Sequence, residues 1–195
     1  MIILASTSRA RKDLLSRAGL VFEAVASGVD EDSAKRALLA DGQTPRAIAD
    51  ALAELKAVRV SMKTKGLVFG SDQTLDLDGQ LLDKARTPDE LASHLRLLRG
   101  RRHQLHSAVV AAEDGVPVWR TLTSANLTVR TFSEGWLSEY LSKCGNDVLS
   151  SVGGYHYESL GIQLFERVDG DVFTILGLPL VPMLGYLRDR RLMTA

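Results

Sequence analysis

The sequence predicts an α/β protein, because strand-type and helix-type patterns alternate along the chain. Two wholly apolar runs, residues 2–4 and residues 67–70, are too short for helices and are typical of buried strands. A Thr-Pro pair at residues 44–45 is typical of a helix start, and the apolar residues after it recur at helical spacing. An Asp-Gly pair at residues 78–79 separates two apolar-rich segments and predicts a two-residue hairpin.

Length and composition bound the architecture and exclude some partners. The 195 residues, 45% of them hydrophobic, suffice for one domain over residues 1–195, as a single unit or as two lobes that share a cleft. Lys plus Arg and Asp plus Glu number 24 each, so no net charge attracts the protein to nucleic acid or to a membrane. No apolar stretch reaches the length of a membrane span, and the N-terminus lacks a signal-peptide pattern. We therefore expect a cytoplasmic protein that binds neither nucleic acid nor a membrane.

The first predicted helix follows a turn rich in hydroxyl side chains. Ser8 is the expected N-cap, and the free backbone N–H groups and the dipole of a helix start attract anions. Arg9, Arg11 and Lys12 add positive charge at this end, where cations are unfavourable unless an anion lies nearby. We interpret the turn as a phosphate site; the alternative is an ordinary capped helix with a solvated basic first turn.

Charged residues follow in the next two segments. Residues 21–25 are predicted as a second strand, and Glu31 lies in an acidic turn before a helix. The alternative for this turn is the solvated acidic first turn of that helix. Lys56 lies at the edge of the apolar stripe of the helix after residue 44, so its ammonium either reaches a cleft or projects from the surface.

An aspartate follows the clearest buried strand. Asp72 comes directly after residues 67–70, and ligand sites of α/β proteins gather at strand ends. We expect it to bind a metal or a water molecule; the alternative is a turn-forming residue. The strand that returns from the hairpin is expected to bring Lys84 to the same end as Asp72.

The second half of the chain supplies further elements. They are a capped helix over 87–98, two or three antiparallel strands over 103–130, a helix from Ser133, an irregular segment over 150–155, a strand over 162–168 and a final helix after 177–179. The irregular segment contains two glycines, which allow a backbone to approach a ligand closely.

Several common kinds of site are excluded. The four histidines show no paired metal spacing, and the single cysteine, Cys144, excludes an internal disulfide and a Cys-based zinc site. Neither of the familiar glycine-rich nucleotide-binding motifs is present. A phosphate site in this chain must therefore consist of side chains and a helix N-terminus.

Seven short motifs occur in order along nearly the whole chain. They are residues 6–12, 29–31, 56–57, 70–73, 84, 100–103 and 177–180. Together they resemble the Maf family of nucleoside triphosphate pyrophosphatases. The resemblance implies a Maf/ITPase-like α/β fold, with a mixed twisted sheet flanked by helices and two lobes around a central cleft. It also implies a homodimer that hydrolyses a nucleoside triphosphate to the monophosphate and pyrophosphate with a divalent metal.

With this resemblance, the basic residues become candidates for binding the triphosphate. We assign Ser8, Arg11 and Lys12 to it, with Lys56 and Lys84 closing on it from the helix and the hairpin.

Two carboxylates, together with Lys84, are the candidates for catalysis. We expect Asp72 to orient or deprotonate the attacking water, and Glu31 to bind a metal or to act as a second carboxylate. These two roles can be exchanged. Mg²⁺ suits such oxygen ligands, with Mn²⁺ or Co²⁺ as alternatives.

Two residues place the chain nearer to the 7-methyl-GTP branch of the family than to the dTTP and UTP branch. Gln73 and Glu158 stand where the pyrimidine branch usually has Thr and Gln. A carboxylate suits the N–H groups of a purine or the positive charge of a methylated ring. The chain also departs from the family, with Arg9 in place of a proline, Ala10 in place of an arginine or aromatic residue, and Ala85 in place of a proline.

Three alternatives remain at this point. The first is a Maf pyrophosphatase that acts on dTTP and UTP. The second is a non-catalytic nucleotide-binding regulator of cell division or septum formation, although such a protein has no need of a water-activating carboxylate. The third, a nucleic-acid-binding module built on the Arg-rich residues 99–102 and 188–191, is disfavoured by the zero net charge.

Overall fold

The structure, a computed structural model, describes residues 1–194 and confirms the mixed α/β class. Seven strands in one sheet and seven α-helices form in this part of the chain. The strands are β1 (Ile2–Leu4), β2 (Glu23–Ala24), β3 (Leu67–Leu77), β4 (Gln80–Leu82), β5 (Arg102–Glu113), β6 (Val116–Val129) and β7 (Phe165–Asp169). The helices are α1 (Arg9–Arg17), α2 (Glu31–Ala40), α3 (Pro45–Ser61), α4 (Pro88–Leu98), α5 (Glu134–Cys144), α6 (Val172–Ile175) and α7 (Leu180–Asp189). Among the helices of residues 1–194, none combines the length and the apolar character needed to cross a membrane.

The sheet is mixed, as the resemblance implies. Its strand order is β2-β1-β3-β5-β6-β7, with β4 pairing β3 outside this path. The strand β1 runs parallel to both β2 and β3, whereas the other pairs are antiparallel. The central strand β3 therefore changes partners along its length, from β1 at its start to β4 at its end. Side chains in the middle of β3 lie between these two pairings.

The helix α3 lies unusually close to the sheet. It begins at the N-cap Thr44, whose Oγ1 accepts a hydrogen bond from Ala47 N at 3.3 Å. Its inward face carries Ala49, Ala53 and Ala57, all fully buried against small apolar residues of β5. A methyl group at Gly70 of β3 would collide with the backbone of this helix at Ala53 O and Ala57 N. Glycine and alanine at the contact thus bring the α3 backbone against β3, and Lys56 with it.

Two larger apolar clusters flank a central cleft. One packs α1 and α7 against β1 and the start of β3, with Leu15 and Met183 fully buried. The other packs α4 and α5 against the ends of β3, β5 and β6, with Leu95 and Tyr140 buried. The cleft has a volume of about 1230 Å³, and its lining includes the start of α1, the middle of β3 and residues 146–147 and 150–152.

Three boundaries differ from the expected ones. The strand after residue 66 does not end at Gly70 but continues to Leu77, because β5 pairs with it from Val68 to Asp76. The second strand contains only Glu23–Ala24, and Val21 is 91% exposed. The last strand begins at Phe165, since Leu160–Leu164 forms a 3₁₀ turn.

Candidate active site

The start of α1 forms one wall of the cleft. Ser8 is the N-cap, and its Oγ accepts a hydrogen bond from Arg11 N at 3.5 Å. Ser6 supports the turn, because its Oγ accepts a hydrogen bond from Ser8 N at 3.2 Å. The first turn of α1 contains no acidic residue, and Ser6, Thr7 and Ser8 all line the cleft. An anion-attracting helix end therefore faces the cleft, as the sequence predicts.

Arg11 connects this wall to the rest of the site. Its Nε donates to Gly177 O and its Nη1 to Ser71 O, both at 2.8 Å. Burial lowers the pKa of Arg11, and the charges of Asp72 and Glu31 offset part of this change. Arg11 therefore joins α1 to β3 and to the segment after α6, in addition to lining the cleft.

Lys12 differs from the expectation. It does not line the cleft, although its neighbours Arg11 and Asp13 do. The direct contact between Lys12 and the triphosphate that the sequence predicts is therefore not favoured by the structure.

Lys56 lies between the two candidate catalytic carboxylates. Its Nζ is 2.6 Å from Asp72 Oδ1 and 2.9 Å from Glu31 Oε1. The Lys56 side chain is 6% exposed and that of Asp72 is 7% exposed, so the alternative of a surface lysine is wrong. Three elements, α2, α3 and β3, each contribute one member of this cluster.

Asp72 lies in the middle of β3, not directly after a strand and not in a turn. Its Oδ1 is held by Lys56, whereas its Oδ2 is buried and has no hydrogen-bond partner within residues 1–194. A buried carboxylate oxygen without a partner is costly, which indicates that a ligand or a water molecule completes the site.

Lys84 and Glu31 complete the charged end of the cleft. The hairpin between β3 and β4 turns at Asp78 and Gly79, both with positive φ, and Lys84 follows β4 and lines the cleft with Asp72. Burial lowers the pKa of Lys84, although the carboxylates of Glu31 and Asp72 act in the opposite direction. For Glu31, burial works to raise the pKa, but Lys56 and Lys84 outweigh it, so the pKa is lowered and the side chain is ionised at neutral pH.

Gln73 lies next to this cluster with a fixed orientation. Its Nε2 donates to the backbone carbonyls of Thr174 and Ile175 at 2.9 and 3.0 Å, and lies 3.0 Å from Ser107 Oγ. Because carbonyl oxygens accept only, the amide nitrogen must face them. The Oε1 atom, on the side of Gly177, is left as the group that Gln73 can offer to a ligand in the cleft.

The segment of residues 146–159 also contributes to the lining of the cleft. Gly153 and Gly154 have positive φ values of 77° and 71°, and a side chain at Gly154 would collide with Leu91 Cδ1. Tyr155 is fixed from inside, since its hydroxyl lies 2.7 Å from His103 Nε2.

This segment also contributes two carboxylates. Asp147 and Glu158 both line the cleft, whereas the lining Lys and Arg residues all lie between residues 9 and 84 of the chain. Sequence reasoning identified Glu158 but missed Asp147, which lies in a 3₁₀ turn without a distinctive local pattern. Lys35 and Ser6 also line the cleft and were not predicted.

An α/β fold with an anion-attracting helix end facing a lysine–dicarboxylate cluster defines a protein that is built to bind an anionic ligand and to act on it. Comparison with known proteins agrees. The family model described as Maf-like protein matches residues 1–190, and the chain belongs to the Maf family.

Named relatives match over almost their full length. A protein named nucleoside triphosphate pyrophosphatase from Caulobacter vibrioides is 58% identical over 96% of this chain and 94% of its own. A protein named 7-methyl-GTP pyrophosphatase from Rhizobium meliloti is 48% identical over 97% of this chain and 96% of its own. The solved structure of a HAM1 protein from Coxiella burnetii covers 66% of this chain and 72% of that chain, at 15% identity and a TM-score of 0.45, a likeness too slight to support an argument.

Proposed function

We propose that this protein hydrolyses a nucleoside triphosphate to the nucleoside monophosphate and pyrophosphate. The observation that carries the proposal is the buried cluster of Lys56, Asp72 and Glu31 opposite the start of α1. Such a cluster keeps an ionised carboxylate next to the phosphate site, where it can accept a proton. The relatives named nucleoside triphosphate pyrophosphatase support the same reaction.

The triphosphate binds at the basic end of the cleft. Ser8 and the free N–H groups of the α1 start contact phosphate oxygens, and Arg11 and Lys84 contribute positive charge. The ammonium of Lys84 is partly desolvated and lies near the carboxylates of Glu31 and Asp72. A phosphate group can therefore replace these carboxylates as the partner of Lys84. This arrangement stabilises the charge that develops on the departing pyrophosphate.

Asp72 is the general base. Lys56 fixes its Oδ1, so the unpartnered Oδ2 is the atom that accepts a proton from the attacking water. The water oxygen forms a bond to the α-phosphorus, and the bridging bond between this phosphorus and the β-phosphate oxygen breaks. The electron pair leaves with pyrophosphate. Glu31, ionised in the same cluster, can exchange this role with Asp72.

A divalent cation fits the residues present. The carboxylate of Glu31 is a hard oxygen donor that would hold the ion where Asp72 is the base, and the unpartnered Oδ2 of Asp72 would hold it where the two roles are exchanged. Mg²⁺ in nucleotide enzymes is usually held by one or two carboxylates plus substrate phosphates. No group of three potential metal-ligating side chains occurs among residues 1–194, which agrees with an ion that needs the substrate to complete its ligands. When bound, Mg²⁺, Mn²⁺ or Co²⁺ neutralises phosphate charge and activates water.

The preferred base is a cationic purine such as 7-methylguanine. Glu158 and Asp147 contribute two carboxylates to the lining of the cleft, and carboxylates attract the positive ring and its N–H groups. The fixed acceptor Oε1 of Gln73 also selects a donor on the substrate. The relative from Rhizobium meliloti named 7-methyl-GTP pyrophosphatase supports this choice. The alternative, a dTTP and UTP enzyme, lacks such support.

Three further expectations from the resemblance stay predictions. They are the homodimer, the cytoplasmic location, and removal of modified nucleotides before their incorporation into nucleic acid. Sedimentation velocity decides the first. A regulator without turnover, the other alternative, has no use for a buried aspartate with an unpartnered oxygen.

A nucleotide panel tests the function. Pyrophosphate release is measured with Mg²⁺ for 7-methyl-GTP, GTP, dTTP, UTP and CTP, using the unsubstituted protein and Asp72→Asn. We expect release that is fastest with 7-methyl-GTP, and a loss of turnover of about 100-fold in Asp72→Asn with nucleotide binding retained, the scale of a lost general base. If no nucleotide released pyrophosphate, the proposed function would be contradicted. If Asp72→Asn turned over as fast as the unsubstituted protein, the role of Asp72 would be contradicted.

A further inference from the structure

The helix α2 carries Glu31 but has little apolar packing of its own. None of its ten residues, Glu31–Ala40, is buried. Leu39, one of its two leucines, is 45% exposed. Apolar burial is the main force that fixes a surface helix to its domain, so α2 must be held mainly by polar contacts.

Among residues 1–194, three ion pairs connect α2 to the body of the protein. Glu31 contacts Lys56 at the cleft, and Asp32 contacts Arg86 at 3.5 Å between two strongly exposed side chains. The third joins Lys35 to Asp83, just after β4. Lys35 Nζ lies 2.8 Å from Asp83 Oδ1 and 3.0 Å from Oδ2, and the Lys35 side chain is only 12% exposed.

The Lys35–Asp83 pair lies where two walls of the cleft meet. Lys35 is one helical turn after Glu31 and therefore on the same face of α2. Asp83 directly precedes Lys84, and its Oδ1 also accepts a hydrogen bond from Lys84 N at 2.8 Å. One carboxylate thus fixes both the helix that carries Glu31 and the backbone that carries Lys84.

We infer that Lys35 and Asp83 are positioning residues. They hold Glu31 and Lys84 in place beside Asp72 in the cleft. Lys35 acts through Asp83 and not by binding the substrate, because both of its nearest partners are oxygens of Asp83. Burial acts to lower the pKa of Lys35, but the hydrogen bond to Asp83 and the charges of nearby carboxylates together outweigh it and raise the pKa, so the lysine stays charged in this position. The inference rests on the proposed pyrophosphatase function.

The first arm of the test is kinetic. Lys35→Met, Asp83→Asn, the double variant and Lys35→Arg are compared for kcat and KM with 7-methyl-GTP, and Arg86→Met is the control, since it breaks the exposed pair between the same two segments. We expect each neutral single variant to lower kcat about tenfold with KM changed less than about threefold, the pattern for groups that position catalytic residues. The kcat of the double variant should be no lower than that of the slower single variant, because both changes break the same pair. Lys35→Arg should retain most of kcat, and Arg86→Met should have the kcat of the unsubstituted protein.

The second arm is structural and needs no activity. Amide hydrogen exchange is measured across α2 and α3 in the same variants. We expect faster exchange over residues 31–40 in Lys35→Met and Asp83→Asn, with α3 and the thermal midpoint unchanged, and no change in Arg86→Met.

Two outcomes would overturn the inference. A raised KM in Lys35→Met with normal kinetics in Asp83→Asn would show that Lys35 contacts the nucleotide itself. Unchanged exchange of α2 in both single variants would show that other contacts hold the helix. If the unsubstituted protein released no pyrophosphate, the proposed function would fail, and the exchange data would still decide whether the pair anchors α2.

Discussion

Lys56 Nζ lies 2.6 Å from Asp72 Oδ1, and both side chains line the cleft and are less than a tenth exposed. This ion pair exists because α3 packs closely on β3 at Gly70, where any side chain would collide with the helix backbone. The close packing of α3 on β3 therefore places the charged groups of the site.

Removal of the Lys56 charge should affect both stability and turnover. In Lys56→Met, Asp72 becomes a buried carboxylate without its cation, and breaking a buried pair in this way costs about 3 kcal/mol of unfolding free energy. Turnover should fall together with stability, because Asp72 and Glu31 then repel each other. Urea unfolding and pyrophosphate release measure the two effects.

A matched control and a rescue variant make the Lys56 prediction specific. Lys63→Met removes an exposed lysine just after α3 and should change neither quantity. Adding Asp72→Asn to Lys56→Met should restore much of the stability, since the unpaired charge is then absent. If Lys56→Met were as stable as the unsubstituted protein, the ion pair would not have the buried geometry described above.

Gly70→Ala should disturb the site without touching any charged group. The added methyl would collide with Ala53 O and Ala57 N, so α3 must shift away from β3. Such overpacking costs about 1–3 kcal/mol, and the shift moves Lys56 from Asp72. Gly185→Ala is the control, because a methyl at this position of α7 meets no atom within 4 Å. A stable and fully active Gly70→Ala variant would contradict the close packing.

Glu158→Gln should change which base the enzyme prefers. Replacing the carboxylate by an amide removes the charge that attracts a methylated purine, so the ratio of kcat/KM for 7-methyl-GTP to that for dTTP should fall about tenfold, the scale of one charged hydrogen bond. Glu166→Gln, an exposed carboxylate on β7 outside the cleft, should leave the ratio unchanged. An unchanged ratio in Glu158→Gln would remove this residue from base recognition.

Much of the fold was predictable because its signals are local. The N-caps Ser8 and Thr44 and the hairpin turn at residues 78–79 depend on side chains a few positions away, and the structure has each of them. The extent of β3 was not predictable, since residues after Gly70 are held by β5, about 35 positions later.

The candidate site shows the same division. The sequence placed charged groups near one another through known motifs, but it could not show that Lys56 is buried, because the close packing at Gly70 joins two separate elements. The Lys35–Asp83 pair joins residues 48 positions apart and has no local pattern at all. Contacts of this kind depend on the assembled sheet and not on periodicity.

Stability should depend on pH through His103. This histidine is 1% exposed, and burial lowers its pKa from 6.5 to about 4. Between these values the unfolded chain binds a proton that the folded protein does not, so the contribution of His103 is fully present above pH 6.5 and is lost as pH falls towards 4. The loss amounts to about 3 kcal/mol, from 1.4 kcal/mol for each unit of pKa difference.

Two variants distinguish this titration from the hydrogen bond that His103 makes with Tyr155. His103→Gln removes the titrating group and can keep a bond to the Tyr155 hydroxyl, so its unfolding free energy should fall less between pH 6.5 and 4 than that of the unsubstituted protein. Tyr155→Phe should lower stability at every pH and keep the slope, since His103 is still buried. The measurement is urea unfolding at half-unit intervals of pH. A slope in His103→Gln equal to that of the unsubstituted protein would assign the pH dependence to another group, because only a residue whose protonation differs between the folded and unfolded states can produce it.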